Sequence, residues 1–166
     1  MKILIAPAAF KHSLSASGVA DAIARGLARS GLNADLVQIP MADGGNGTLD
    51  AFLATGGERV SLTVEGPQGA PVEAAYGLLD DGQTAVIEMA LASGIELSPD
   101  NNALTASTYG TGQLMRHALE RGARRLIVGM GGSATTDGGA GCLQALGVRL
   151  LDAAGRRMTG PLGGAL

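Results

Sequence analysis

Three glycine-containing loops carry most of the groups in this sequence that could act on a ligand. They contain Asp43-Gly44-Gly45, Gly110-Thr111-Gly112 and the stretch from Gly131 to Gly139, and each precedes a segment with helical character. Glycine leaves backbone N–H groups uncovered, and N–H groups at the start of a helix attract anions, most often phosphate. The pattern predicts an anion or phospho-ligand site, with ordinary structural turns as the alternative.

The longest loop offers the most complete set of phosphate-binding groups. Amides and hydroxyls come from Gly131, Gly132, Ser133 and Thr135, and a carboxylate comes from Asp137. The loop follows a strand predicted over 126–128, which is apolar throughout and is expected to be covered on both faces. Asp43 and Asp137 could each bind a metal ion, hold a substrate hydroxyl or act as a base, or simply cap a helix or a turn.

Other candidate groups follow predicted strands. Lys11, beside Ser13, follows the first strand, and its compact ammonium could neutralise a phosphate or a carboxylate; the alternative is a solvated surface lysine. Glu88 ends an apolar strand and is predicted to face a cleft. Because ligands of open parallel sheets bind where strands end and loops begin, the loops that contain Lys11 and Asp43 are expected to share one edge.

The elements that must position these groups follow from the apolar spacing. A buried strand over 2–7, a helix capped by Ser13, Ser15 or Ser17 and ending near 30, and a strand over 34–39 make a strand-helix-strand unit. Alternating apolar and polar residues over 60–64 and 72–79 predict a hairpin. Further strands are predicted over 84–89 and 148–151, and further helices over 113–121 and 142–146.

The succession of elements predicts an α/β protein in which the pattern of strands and helices changes near Arg59. Residues 1–59 are expected to form the first part of a parallel-sheet domain, and residues 60–166 a second, mixed α/β domain that is incomplete.

Composition excludes several functional classes. The net charge is −3, aromatic residues make up 2% of the chain and no basic tract exists, so nucleic acid is not expected as a partner. No apolar run reaches membrane length, so no membrane partner is expected either. Cys142 is the single cysteine, which excludes an internal disulfide framework. A cytoplasmic protein is the default expectation, and an unpaired sheet edge leaves self-association open.

Two nucleotide-binding motifs can be checked directly. The P-loop pattern G-x-x-x-x-G-K-[ST] is absent, whereas G-x-G-x-x-A occurs at Gly129, Gly131 and Ala134, with Asp152 at a suitable distance for a ribose contact. An NAD(P)-binding oxidoreductase is therefore the alternative function. In proteins with this motif the helix begins within the glycine stretch. In this chain residues 135–139 would break the first turn of such a helix, which argues against the oxidoreductase.

Six longer motifs in the sequence resemble those of a known family. The stretches MKILIAP-x-x-FK-x-SLSA, PMADGG-x-GT, VEGPQGAPVEAAYGLL, AVIEMALASG, TYGTGQL and GMGGSATTDGGAGCLQALG run in order along the whole chain. Together they resemble the N-terminal portion of the bacterial two-domain glycerate kinase family. Members of that family are more than twice this length, so a ligand-binding but non-catalytic fragment is a further alternative.

The resemblance implies an enzyme that phosphorylates D-glycerate from ATP with Mg²⁺, giving 2-phosphoglycerate or 3-phosphoglycerate in a cleft between two domains. It implies a flavodoxin-like domain, completed by sequence beyond this chain, with the second domain inserted near Arg59. It implies catalytic roles for Lys11, Asp43 and Asp137, while the metal ligands stay unassigned. The implied substrate- and phosphate-binding positions are Ser13, Gly44, Gly45, Glu88, Thr111, Gly131, Gly132, Ser133 and Thr135. The chain departs from the family pattern at Ala8-Ala9, at His12 and at Asn46, where the family has Asp-Ser, Gly and Glu.

Overall fold

The structure, a computed structural model, describes residues 1–10, 13–98 and 102–164. The α/β class predicted from the sequence is confirmed, with one parallel sheet and one mixed sheet. The elements in chain order are β1 (Lys2–Ile5), α1 (Ala16–Arg29), β2 (Asp35–Gln38), α2 (Thr48–Leu53), β3 (Glu58–Glu65), β4 (Pro71–Leu79), β5 (Thr84–Glu88), α3 (Ala90–Ser93), α4 (Tyr109–Glu120), β6 (Arg125–Gly129) and α5 (Ala140–Ala145).

The first sheet pairs β1 with β2 in parallel, and α1 makes the crossover between them. The predicted strand-helix-strand unit is thus confirmed. Ser15 is the N-cap of α1, since its Oγ accepts a hydrogen bond from the Gly18 N–H at 3.1 Å. The prediction that the first strand is buried is only partly correct: Ile5 is buried, whereas Leu4 is 59% exposed.

The second sheet has the order β3-β4-β5-β6. Its first three strands are antiparallel, which confirms the predicted hairpin, and β6 runs parallel to β5. The strand predicted over 126–128 exists, but β6 lies at the edge of the sheet and its three apolar residues are only half-buried. The expectation that this strand is covered on both faces is therefore wrong.

The hydrophobic core fills both faces of this second sheet. Tyr76, Ile87 and Leu114 are fully buried on the face covered by α4. Leu49 of α2 packs with Val86 on the opposite face. Burying a large apolar side chain stabilises the fold by about 1.5–3 kcal/mol, and Leu49, with Phe52 and Leu53 beside it, holds α2 to the sheet.

Two predicted elements differ in the structure. Helix α4 begins at Tyr109 and not at 113, so Gly110-Thr111-Gly112 forms its first turn and is not a loop. The glycines serve close packing there: a Cβ on Gly110 would overlap the carbonyl oxygen of Glu65, and one on Gly112 would overlap that of Cys142. The strand predicted over 148–151 is absent, and only an isolated bridge joins Leu151 to Arg157.

Candidate functional site

A cavity of about 530 Å³ opens where the first sheet meets the glycine-containing loops. Its walls come from the segment after β1, the loop before α2, the turn after α3 and the loop after β6. The lining residues are Ala9, Phe10, Ser13, Leu14, Ser15, Asp43, Gly45, Asn46, Gly47, Asp50, Ile95, Glu96, Gly131 and Gly132. Five of the predicted site residues, namely Ser13, Asp43, Gly45, Gly131 and Gly132, thus share one cavity.

Two glycine-containing loops meet backbone to backbone at this cavity. We call residues 43–47 the Asp43 loop and residues 130–135 the Met130 loop. The Gly131 N–H donates to the Gly44 carbonyl oxygen at 2.7 Å. A Cβ on Gly131 would lie 2.7 Å from both Cα and N of Gly45, and one on Gly129 would lie 2.8 Å from the Gly44 oxygen. Glycine is required at these positions because no side chain fits between the loops.

The Met130 loop presents only part of the predicted phosphate cradle. The Gly131 N–H is already bonded to Gly44, so it is not free for a ligand, which corrects the expectation for that amide. Within the described residues, the N–H groups of Gly132 and Ser133 have no protein acceptor. The Ser133 Oγ accepts from the Thr135 N–H at 3.0 Å and lies 2.9 Å from the Thr135 Oγ1. These two hydroxyls thus brace the turn, and of the two residues with an open N–H only Gly132 lines the cavity.

Asp43 lies exposed at the cavity wall, where it shapes its own loop. Its Oδ1 accepts a hydrogen bond from the Gly45 N–H at 2.9 Å. This is the Asx-type turn that the sequence left open as an alternative. One carboxylate oxygen holds the turn, and the position at the wall suits a single monodentate contact to a cation or a hydroxyl.

Glu88 does not face the cavity, so that expectation is wrong. The residue is 2% exposed, and its carboxylate accepts hydrogen bonds from the N–H groups of Gly47 at 3.2 Å and Leu49 at 2.9 Å. Burial raises the pKa of the Glu88 carboxyl above its ordinary value, although the two N–H groups oppose the shift. Glu88 therefore touches the start of α2 and not a ligand.

Asp137 is buried as well, at 1% exposure. One oxygen, Oδ2, accepts from the Thr108 N–H at 2.9 Å, from the Thr108 hydroxyl at 2.8 Å and from the Gly141 N–H at 3.1 Å. The other, Oδ1, accepts from the Gly139 N–H at 3.1 Å. The expected catalytic role is corrected by this geometry, because the carboxylate ties the starts of α4 and α5 together and presents no face to the cavity.

Of two further predicted residues, one differs from expectation and the other is not described by the structure. Thr111 is 3% exposed, and its hydroxyl lies 2.8 Å from the Ser93 Oγ in the interior, so it does not line the cavity. Lys11 lies outside the described residues, as does His12. Their described neighbours Phe10 and Ser13 both line the cavity.

Sequence reasoning missed the apolar wall of this cavity. Phe10 and Leu14 are 61% and 46% exposed, and the Phe10 N–H donates to the Leu14 carbonyl oxygen at 2.9 Å. Ile95 contributes from the turn after α3, through an N–H bond to the Gly132 carbonyl at 2.8 Å. The one available signal was Phe10, one of only two phenylalanines in the chain.

The described charged residues at the cavity are all carboxylates: Asp43, Asp50 and Glu96. Asp50 forms an ion pair with Arg59. Among the described residues, no three His, Cys, Asp or Glu side chains are grouped to hold a metal ion by themselves. Mg²⁺, however, binds one or two carboxylates and completes its shell with substrate phosphates and water, so Asp43 fits as a single protein ligand.

The dinucleotide-binding alternative is not supported. Helix α5 begins only at Ala140, well beyond the glycines of the G-x-G-x-x-A motif. Asp152, the expected ribose contact, instead accepts hydrogen bonds from the backbone N–H groups of Ala154 and Arg156, both at 2.9 Å. The motif therefore lacks the helix start that would face a pyrophosphate.

Comparison with known proteins decides the family. The family model described as "Glycerate kinase family" matches residues 3–166. The chain belongs to the glycerate kinase family. It is 54% identical to a glycerate kinase of Bacillus subtilis (strain 168), with all of this chain and 44% of the relative covered. It is 50% identical to a glycerate 2-kinase of Escherichia coli (strain K12), with 95% of this chain and 42% of the relative covered.

The structural comparison agrees with the sequence comparison. The fold matches the crystal structure of a candidate glycerate kinase 2 from Salmonella typhimurium LT2 with a TM-score of 0.75 and 49% identity. The match covers 99% of this chain and 45% of that chain. The chain thus spans less than half the length of the relatives it matches. Among the helices of the described residues, none is long and apolar enough to cross a membrane.

Proposed function

We propose that this chain supplies one wall of the active site of an ATP-dependent kinase that phosphorylates D-glycerate to 2-phosphoglycerate or 3-phosphoglycerate. The observation that carries the proposal is the packing of the Asp43 loop on the Met130 loop at the rim of one cavity. Membership of the glycerate kinase family supports the substrate class. The proposed cavity lies between the segments 1–59 and 60–166, in line with a cleft between two domains, and the boundary near Arg59 stays part of the proposal.

Phosphoryl transfer needs positioning and neutralisation of oxygen charge more than covalent chemistry by the protein. In our proposal the N–H groups of Gly132 and Ser133 bind phosphate oxygens, in a turn braced by the Ser133 and Thr135 hydroxyls. The N-terminus of α1, whose N-cap Ser15 lines the same cavity, adds a partial positive charge there. Both features favour an anion in this cavity.

The exposed Asp43 carboxylate at the cavity wall suits a cation. Mg²⁺ carried by the ATP phosphates would supply positive charge there and polarise the phosphoryl oxygens when bound. Asp43 is the residue proposed to hold the metal or to orient the attacking glycerate hydroxyl. Lys11 is proposed to neutralise the phosphoryl group or the glycerate carboxylate, and Ser13 to contact the substrate. Gly44, Gly45, Gly131 and Gly132 set the backbone path between these groups.

A phosphoryl-transfer assay tests the proposal on this chain. The 166-residue protein is incubated with ATP, Mg²⁺ and D-glycerate, and phosphorus NMR identifies 2-phosphoglycerate, 3-phosphoglycerate or neither. Variants Lys11→Met and Asp43→Asn should lower any turnover, whereas Gly26→Ala, on the exposed side of α1, serves as the control. Binding of ATP without any product would favour the second candidate, a non-catalytic ligand-binding fragment, which coverage of less than half of the relatives supports. Absence of ATP binding would contradict both.

A further inference from the structure

We propose that Glu88 is a positioning residue that fixes the Asp43 loop against the Met130 loop, an inference that rests on the proposed function of the cavity between them. The sequence suggested contact with substrate. The structure instead buries the carboxylate behind the loop that carries Asp43.

The start of α2 has no cap of its own. Its N-cap is Gly47, at φ 90°, which has no side chain to accept a hydrogen bond. Glu88 supplies the missing acceptors from a strand about 40 residues further along the chain, with Oε1 on the Gly47 N–H and Oε2 on the Leu49 N–H. Two orphan N–H groups of the helix start are therefore satisfied by one distant side chain.

The same strand end also positions the second loop. In the register of β5 and β6, Glu88 lies opposite Gly129, and the Met89 N–H donates to the Gly129 carbonyl oxygen at 3.0 Å. Gly129 in turn touches the Gly44 backbone so closely that a Cβ there would be only 2.8 Å from the Gly44 oxygen. Glu88 and Met89 thus reach the Asp43 loop and the last residue of β6, directly before the Met130 loop, one through a carboxylate and one through the backbone.

The burial of Glu88 has an energetic cost that an apolar residue would avoid. Within the described residues no cation bonds directly to the carboxylate, and desolvation raises its pKa. An apolar side chain would avoid this cost but would leave the N–H groups of Gly47 and Leu49 without partners. A carboxylate with two acceptor oxygens meets both N–H groups at once, and this fixes the distance between Asp43 and the amides of Gly132 and Ser133.

The test compares Glu88→Gln with a matched control on the same strand. Glutamine keeps the length and one acceptor, but its NH₂ group faces an N–H donor at the other position. The control is Thr84→Val, because Thr84 is equally buried and loses its hydrogen bond to Asp80 at the opposite end of β5, away from the loops. Amide hydrogen exchange and ATP binding are measured on the full 166-residue chain.

In Glu88→Gln we expect the Gly47 or Leu49 amide to exchange on the order of tenfold faster, as for one lost hydrogen bond to a charged group, and ATP affinity to fall by a similar factor. In Thr84→Val the amide exchange rates of Gly47 and Leu49 and the ATP affinity should stay near the wild-type values after correction for global stability. Faster exchange with unchanged ATP affinity would overturn the positioning role, and so would unchanged exchange. If the wild-type chain binds no ATP, the proposed function fails. The amide chemical shifts of Gly44 and Gly131 then decide the positioning role, and identical shifts in Glu88→Gln and wild type would overturn it.

Discussion

A methyl group on Gly131 would test how closely the two glycine-containing loops must pack. Its Cβ would lie 2.7 Å from Cα and N of Gly45, whereas ordinary van der Waals contact begins at 3.4 Å. The loops must therefore separate by about 0.7 Å, and neither neighbour is a flexible side chain that could move aside. Overpacking of this kind costs about 1–3 kcal/mol. We expect Gly131→Ala to lower the free energy of unfolding by that amount.

Urea denaturation and ATP titration measure the two consequences separately. A loss of stability of this size corresponds to about 2–4 °C in melting temperature for each kcal/mol. The same separation breaks the bond from the Gly131 N–H to the Gly44 carbonyl oxygen and moves Asp43 relative to Gly132. ATP affinity should therefore fall in the folded protein as well.

Gly26→Ala is the matched control for this substitution. Gly26 lies within α1, and a Cβ there meets no atom within 4 Å. Alanine should stabilise that helix by about 0.5–1 kcal/mol, with no change in ATP affinity. If Gly131→Ala matched the wild type in both stability and ATP affinity, close loop packing would not be what holds the site together.

The remaining predictions concern groups away from the cavity. Asp137→Asn should destabilise the fold by about 2–3 kcal/mol in urea, because N–H and hydroxyl donors at two helix starts lose a charged acceptor; a loss below about 0.5 kcal/mol would contradict the structural role. Hydrogen bonds from the backbone N–H and from the side chain of Arg156 lower the pKa of the Asp152 carboxyl. The stability that Asp152 contributes is then fully present above its ordinary pKa of 3.8 and is lost as pH falls through the lower folded value. Asp152→Asn should remove that part of the acid dependence in melts at descending pH, and an unchanged acid dependence would refute it. Burial, with a smaller effect of Asp137, raises the pKa of the Cys142 thiol. Alkylation by iodoacetamide at neutral pH should therefore be slower than for free cysteine, and equal rates would contradict the burial.

The sequence predicted the elements that depend on local signals. Helix α1 follows from Ser15 as a cap and from apolar residues four apart, and the β3-β4 hairpin follows from alternation around a glycine turn. The strand predicted over 148–151 was wrong because apolar residues alone do not make a strand without a partner, and only Leu151 finds one. The prediction of a loop at Gly110-Thr111-Gly112 was wrong because these residues form the first turn of α4, where the two glycines allow close approach to β3 and α5.

The location of the candidate site could be predicted from the sequence, but the role of each residue in it could not. Glycines and an aspartate after strands indicated the cavity, and Ser13, Asp43, Gly45, Gly131 and Gly132 do line it. The role of Glu88 depends on N–H donors about 40 residues away along the chain, and that of Asp137 on Thr108, 29 residues away, besides the nearby Gly139 and Gly141. No spacing rule connects a carboxylate with donors at such separations, so a buried helix-capping carboxylate and a catalytic one look alike in the sequence.

An ATP titration of the nitrogen-15-labelled chain in the presence of Mg²⁺ tests the central claim most directly. The claim predicts saturable shifts at the amides of Gly132 and Ser133, together with shifts in the Asp43 loop. It predicts much smaller shifts at Gly139 and Gly141, whose N–H groups are held by Asp137. Shifts confined to residues remote from the cavity, or no saturable shifts at all, would contradict the claim.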